Sequence, residues 1–71
     1  MRAIIQKTQA WQLAASVKSI AQGYHLMVTS FVPTARRPEE HVRFQGTFTV
    51  PELRQLRDLL DQAVQEEHRH L

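Results

Sequence analysis

The chain contains no cysteine among its 71 residues. Without thiols it has neither a disulfide nor a thiolate zinc site to stabilise a small core. A domain of this length buries only about 60% of the surface that its unfolded chain exposes, so its own core is marginal. We therefore expect a homodimer, in which a second copy supplies the missing burial. A lack of cysteine is also typical of a reducing cytosol, which predicts a cytoplasmic protein.

The sequence also lacks a long hydrophobic run. No apolar stretch approaches the roughly 20 residues that a helix needs to cross a bilayer. The opening segment MRAIIQKTQ has neither a long apolar core nor a small-residue cleavage site, unlike a secretory signal. We expect no membrane association.

Catalytic motifs are missing as well. The chain has no cysteine nucleophile and no HExxH motif, and its two glycines, Gly23 and Gly46, lie too far apart in sequence to form a phosphate-binding loop. The carboxylates cluster in the C-terminal segment and at Glu39-Glu40, where we expect water to surround them. We expect a protein that is not an enzyme and that needs no cofactor.

Four histidines raise the possibility of a metal site. His25 and His41 could lie side by side on neighbouring strands, but two imidazoles make an incomplete site. His68 and His70 lie close to the C-terminus and are too few to hold an ion alone. The sequence therefore predicts no metal site.

The clearest local pattern is a capped amphipathic helix. Thr49 occupies an N-cap position, Glu52 follows three residues later as in a capping box, and Pro51 falls in the first turn, where its missing N–H costs nothing. We expect the helix from about Val50 to Glu67, with 68–71 as a frayed tail. Its apolar stripe comprises Leu53, Leu56, Leu60 and Val64, widened by Leu59 and Ala63.

Two segments before this helix alternate between apolar and polar residues. His41 to Val50 places Val42 and two phenylalanines on one face and Arg43 on the other, and Tyr24 to Val32 alternates in the same way. Residues 33–40 (PTARRPEE) contain two prolines and four charges, which predicts a loop.

The segment from Ala10 to Gln22 has two interpretations. With a period of 2 it is a strand that turns at Gln22-Gly23, whereas with a period of 3.6 it is an alanine-rich helix ending at Gly23. The strand is favoured because the alternation continues through the next two segments. With Arg2 to Lys7 as a first strand, we expect one small α+β domain over residues 1–67. Its fold is an antiparallel four-stranded meander followed by one C-terminal amphipathic helix, and the alternative is β-α-β-β-α.

The outer face of this sheet is the best candidate for a functional surface. Residues 1–50 contain six Lys or Arg against two Glu, a net charge of +4, whereas residues 51–71 contain three against five acidic residues, a net charge of −2. Cations that follow a phosphate backbone, together with a ring for base stacking, are what single-stranded nucleic acid requires. The candidate nucleic-acid-binding residues are Lys18, Phe31, Arg36, Arg37 and Arg43. The alternative is an ordinary solvated sheet face.

One stretch of sequence resembles a known family. The residues Gly46-Thr47-Phe48-Thr49-Val50-Pro51-Glu52, followed by Leu53, Leu56 and Leu60, are similar to the end of the sheet and the start of the helix in the PC4-like single-stranded DNA-binding coactivators. The resemblance implies a homodimer whose β-ribbons hold unpaired strands in a basic groove. Two positions depart from that family's pattern, since Gln45 stands where a lysine is usual and Leu53 stands near the place of a bulky aromatic residue.

Two functions therefore remain open. The first is a homodimeric module that binds single-stranded nucleic acid through the basic sheet face. The second is a protein-binding accessory or inhibitor that docks on a larger protein through a sheet edge or the helix face.

Overall fold

The computed structural model describes the backbone of residues 1–69 and the side-chain exposure of residues 1–67. Four strands precede one helix: β1 (Arg2–Lys7), β2 (Gln12–Ile20), β3 (Gly23–Phe31), β4 (His41–Phe48) and α1 (Val50–Arg69). Each strand pairs antiparallel with the next, so that the order across the sheet is β1-β2-β3-β4. The predicted α+β meander with a C-terminal helix is confirmed.

The segment with two interpretations is a strand. Residues 12–20 pair with β1 on one side and with β3 on the other, which excludes β-α-β-β-α. Hydrogen bonding to two neighbours outweighs the helix propensity of the four alanines between residues 10 and 22, as tertiary context often does.

A two-residue turn joins β2 to β3, because Ile20 and Gly23 pair directly. Gly23 has a φ of +145°, and a β-carbon at this position would run into the carbonyl oxygen of Phe48. Only glycine fits this conformation and this close approach.

The capping box of α1 forms as predicted. The backbone N–H of Thr49 donates to Oε1 of Glu52 at 2.8 Å, and the backbone N–H of Glu52 donates to Oγ1 of Thr49 at 3.4 Å. The bond from the Thr49 backbone, with a smaller contribution from its side chain, lowers the pKa of the Glu52 carboxyl. The helix continues to Arg69, two residues beyond its expected end. The rest of the expected tail, residues 70 and 71, lies outside the described residues.

The strand register assigns side chains to two faces, since residues paired across antiparallel strands point the same way. We call the side bearing Ala15, Val17, Tyr24, Leu26, Val28, Phe44 and Phe48 the apolar face. We call the other side the polar face, although it also bears Ile4, Ala14 and Ile20. Its remaining residues are Arg2, Lys7, Gln12, Ser16, Lys18, His25, Met27, Thr29, Phe31, Gln45 and Thr47. The start of helix α1 lies on the side of the apolar face.

A β-bulge interrupts this alternation in β4. Val28 pairs with Phe44, but the next residue of β3, Thr29, pairs with Val42 instead of Arg43. The prediction that Val42 faces the core with the phenylalanines is therefore wrong, because the extra residue of the bulge turns Val42 to the polar face.

The packed core is very small. Within residues 1–67, the only buried side chains are those of Ala14, Thr29 and Ser30. The radius of gyration is 14.8 Å, against about 11 Å for a compact domain of this length. The sheet and the helix therefore form an open structure, and the side chains of a single chain do not fill the space between them.

Candidate nucleic-acid interface

One end of the polar face bears an aromatic and a cationic side chain in the same row. Lys7, Gln12 and Phe31 form one row across β1, β2 and β3. Phe31 is half-buried, and the chain leaves β3 at this residue to enter the loop of residues 32–40. We call this edge of the sheet the loop end.

The loop itself supplies two arginines. Arg36 and Arg37 are exposed and lie between Phe31 and the start of β4. Among residues 1–67, neither has a carboxylate within ion-pairing distance. Both guanidinium groups are therefore open to a ligand.

Glu40, which could have neutralised these arginines, binds elsewhere. Its Oε1 atom accepts a hydrogen bond from Nη2 of Arg2 at 3.2 Å. Arg2 is in β1 and Glu40 directly precedes β4, and these strands form opposite edges of the sheet. The two side chains must therefore meet across one face of the sheet. The register of Arg2 with Ser16 places the pair on the polar side. The contact draws the loop toward the polar face and leaves Glu39 as the nearest acidic residue in sequence to Arg36 and Arg37.

Arg43 does not lie on the face that alternation predicts for it. Its Nε atom donates to Oγ of Ser30 at 2.7 Å, and its guanidinium carbon lies 5.7 Å from the centroid of the Trp11 ring. Ser30 pairs with Leu13 and so belongs to the apolar side of the sheet. The bulge that displaces Val42 thus redirects Arg43 to the opposite face, although it remains at the loop end.

Trp11 is held in place beneath Arg43. Its indole N–H donates to Oε1 of Gln6 at 3.2 Å, and a cation above an indole ring is attracted by the ring's electron-rich face. The four-residue chain Gln6–Trp11–Arg43–Ser30 orients the guanidinium and uses only its Nε hydrogen. The four Nη hydrogens have no partner among the described residues.

Lys18 is separated from the other predicted site residues. It pairs with His25 near the β2–β3 turn, six residues along β2 from the row that contains Phe31. At about 3.3 Å per residue, the two rows are about 20 Å apart. The structure therefore brings Phe31, Arg36, Arg37 and Arg43 to one end and leaves Lys18 at the other.

Lys7 was expected only at the margin of the outer sheet face and was not among the candidate binding residues. It shares a row with Phe31 across β2, and so it belongs to the loop end at the β1 edge of the sheet. Half of this row could have been predicted from the sequence. The two-residue turn between β2 and β3 fixes the register of the two strands, and that register pairs Gln12 with Phe31. The bulge between Ile4 and Gln6, which sets the pairing of Lys7 with Gln12, has no such signal.

The two histidines considered as metal ligands are not neighbours. His25 pairs with Thr47 and lies on the polar face, whereas His41 pairs with Ser30 at the loop end. Within the described part of the chain, no group of three or more potential ligands could hold a metal ion.

A second surface of interest lies on the opposite side of the sheet. An open groove of about 430 Å³ separates the stripe of α1 from the apolar face. It is lined by Val17, Leu26, Leu53, Leu56, Arg57, Leu60, Asp61 and Val64.

Among residues 1–69, no helix is long and apolar enough to cross a membrane.

Comparisons with protein-family models, with curated proteins and with solved structures found no match to this chain. The resemblance to the PC4-like coactivators therefore stays a prediction.

Proposed function

We propose that this chain is a non-enzymatic module that binds single-stranded nucleic acid, with the loop end of its sheet as the principal contact. The observation that carries the proposal is the shared row of Lys7 and Phe31 at the loop end, with Arg36 and Arg37 in the adjoining loop. Arg43 lies at the same end of the sheet but on its other face. The cations contact phosphates, and the phenyl ring of Phe31 stacks on an unpaired base.

Electrostatics supports this assignment. The +4 charge of residues 1–50 is carried by the sheet and its loop, whereas the −2 charge of residues 51–71 is carried mainly by α1. Because Glu40 is paired with Arg2, it does not compete for Arg36 or Arg37. The loop end therefore attracts an anionic polymer, and neutralising phosphates releases counterions from it.

In this proposal the module acts as a homodimer in the cytoplasm. The very small core of the single chain supports the dimer, and the absence of cysteine supports the reducing compartment. Two loop ends in one dimer would bind two segments of the same strand, which raises the overall affinity without any new contact.

The test is fluorescence anisotropy with a labelled single-stranded oligonucleotide and a duplex of the same sequence, at low and moderate salt. We expect binding that prefers the single strand and weakens with salt. The variant Arg36→Ala/Arg37→Ala removes two cations from the loop, and we expect it to weaken binding at least tenfold.

The control is Gln55→Glu/Gln62→Glu, which lowers the net charge by the same two units on exposed positions of α1. This control should bind nearly as well as the unchanged chain, because the helix is not part of the loop end. Equal weakening in both variants would reduce the effect to net charge alone. An absence of binding at low salt, where electrostatic attraction is strongest, would refute the proposal.

The groove on the apolar face favours a second candidate function, that of a protein-binding accessory. Val64 lies in this groove and is 58% exposed, and exposed apolar patches with polar rims mark sites of protein association. Retention of a larger protein by the immobilised chain, with no affinity for oligonucleotides, would favour this function over the first.

A further inference from the structure

The apolar stripe of α1 is only partly used within the chain. Leu53 and Leu56, in the first two turns, are half-buried against the sheet. Leu60 and Val64, further along the same stripe, are each 58% exposed. The helix thus touches the sheet at its start, and the space between them opens into the groove.

The junction with β4 sets the direction of this helix. Only Thr49 separates the last strand residue, Phe48, from the first helical residue, Val50. The capping box occupies Thr49, and Gly23 packs directly against the carbonyl of Phe48. A helix of 20 residues is about 30 Å long and stiff. The chain therefore has little freedom to bring Leu60 and Val64 down onto its own sheet.

The accessible surface of the chain indicates how much area a partner would have to cover. The chain exposes 6190 Å², whereas a compact monomer of its mass exposes about 4600 Å². The excess of about 1600 Å² per chain corresponds to about 3200 Å² for two chains. Obligate homodimers bury about 2000–5000 Å² in total, so a second copy accounts for the excess.

We propose that the groove between α1 and the apolar face is the dimer interface, and that it is filled by α1 of a second copy. The inference rests on the homodimer of the proposed function and adds to it the surface and the mode of docking. An amphipathic helix in an apolar groove is anchored by side chains at the spacing of Leu56, Leu60 and Val64. In a two-fold dimer each copy gives its helix and receives the other's.

Charge favours this occupant over an unrelated apolar helix. The Arg57 guanidinium donates to Asp58 of its own helix at 2.9 Å. Arg57 and Asp61 border the groove one turn apart. Such a pair is complementary to itself when two helices run antiparallel about a two-fold axis, because each cation then faces the partner helix's carboxylate.

The test compares Leu60→Asp with Leu59→Asp by sedimentation equilibrium of the protein alone. Leu59 is a matched control, because it is 63% exposed and does not line the groove. We expect a dimer at micromolar concentration for the unchanged chain and for Leu59→Asp. For Leu60→Asp we expect a dimer dissociation constant at least 100-fold higher. A folded monomer for the unchanged chain, or dissociation by Leu59→Asp and not by Leu60→Asp, would overturn the proposal.

A second measurement covers the case in which Leu60→Asp fails to fold. The chain has no cysteine, so two single variants, Val17→Cys and Val64→Cys, can be mixed and oxidised. We expect a disulfide between the two different chains, since the partner helix places residue 64 near residue 17 of the sheet. If the thiols instead join only within the double variant Val17→Cys/Val64→Cys, each helix covers its own sheet and the proposal is wrong.

Neither measurement involves nucleic acid. A dimer that passes both tests but binds no oligonucleotide would refute the proposed function and leave the interface in place. Nucleic-acid binding by a folded monomer would refute the proposed interface and leave the nucleic-acid-binding function in place.

Discussion

Arg43 and Ser30 are joined by a hydrogen bond of 2.7 Å from Nε to Oγ, although strict alternation along β4 would place them on opposite faces of the sheet. The bulge that pairs Thr29 with Val42 makes the contact possible. Ser30 is the most buried residue of residues 1–67, at 1% exposure. A nearly inaccessible hydroxyl thus holds an exposed guanidinium above Trp11.

The first prediction concerns this contact. Trp11 is the only tryptophan of the chain, so its fluorescence reports directly on Arg43. In Arg43→Ala the ring loses its cation and is more open to water, and we expect a red-shifted emission maximum and a stability loss of about 1 kcal/mol. Arg36→Ala, in the loop, should leave the emission unchanged. An identical spectrum for Arg43→Ala would contradict the contact.

The two glycines should respond differently to substitution. In Gly23→Ala the new methyl group meets the Phe48 backbone and the residue keeps a positive φ, so we expect a loss of at least about 2 kcal/mol. Gly46→Ala meets only the rings of Phe44 and Phe48, at 3.3 Å or more, and side chains can adjust. Urea unfolding of both variants measures the difference, and a larger loss for Gly46→Ala would contradict the account of the turn.

The capping box predicts a moderate loss of stability on removal of its hydroxyl. Thr49→Ala leaves the backbone N–H of Glu52 without its acceptor, which typically costs about 1 kcal/mol. Thermal unfolding followed by circular dichroism at 222 nm would show a lower Tm. Thr47, in β4, caps no helix. Thr47→Ala should therefore lower the Tm less than Thr49→Ala does.

Glu52 also predicts a pH dependence. Its pKa is lowered in the folded state by hydrogen bonds from Thr49, so the unfolded state binds the proton more readily. The stabilisation is therefore complete above the unfolded pKa of about 4.3 and is lost as the pH falls through the lower folded pKa. We expect the stability difference between the unchanged chain and Glu52→Gln to shrink below pH 4. A difference that is constant from pH 7 to pH 3 would contradict this.

Salt dependence tests the phosphate contacts of the loop. Each phosphate neutralised on a single strand contributes about −0.7 to the slope of log K against log salt. If Arg36 and Arg37 each contact one phosphate, Arg36→Ala/Arg37→Ala should make that slope shallower by about 1.4. A slope equal to that of the unchanged chain would remove the loop from the site.

Much of the fold was readable from the sequence because it depends on neighbours in the chain. The capping box at Thr49 and Glu52 needs only residues three apart, and the stripe of α1 needs only a period of 3.6. The alternation in β3 correctly placed Met27 and Phe31 on the polar side. Arg43 was misplaced because a bulge depends on how β4 pairs with β3, and no local pattern marks it.

Sequence patterns predicted three of the four strands, the start of α1 and the segregation of positive charge to residues 1–50 and of negative charge to residues 51–71. Those properties follow from periodicity, capping and composition, which act over a few residues. The same patterns left residues 10–22 open between strand and helix, and strand pairing settled that segment. No local pattern showed that Lys7 shares a row with Phe31, that Lys18 lies about 20 Å from this row, that Glu40 binds Arg2, or that α1 leaves a groove beside the sheet. Each of these depends on strand register or on the angle at one junction, and contacts between residues distant in sequence set both.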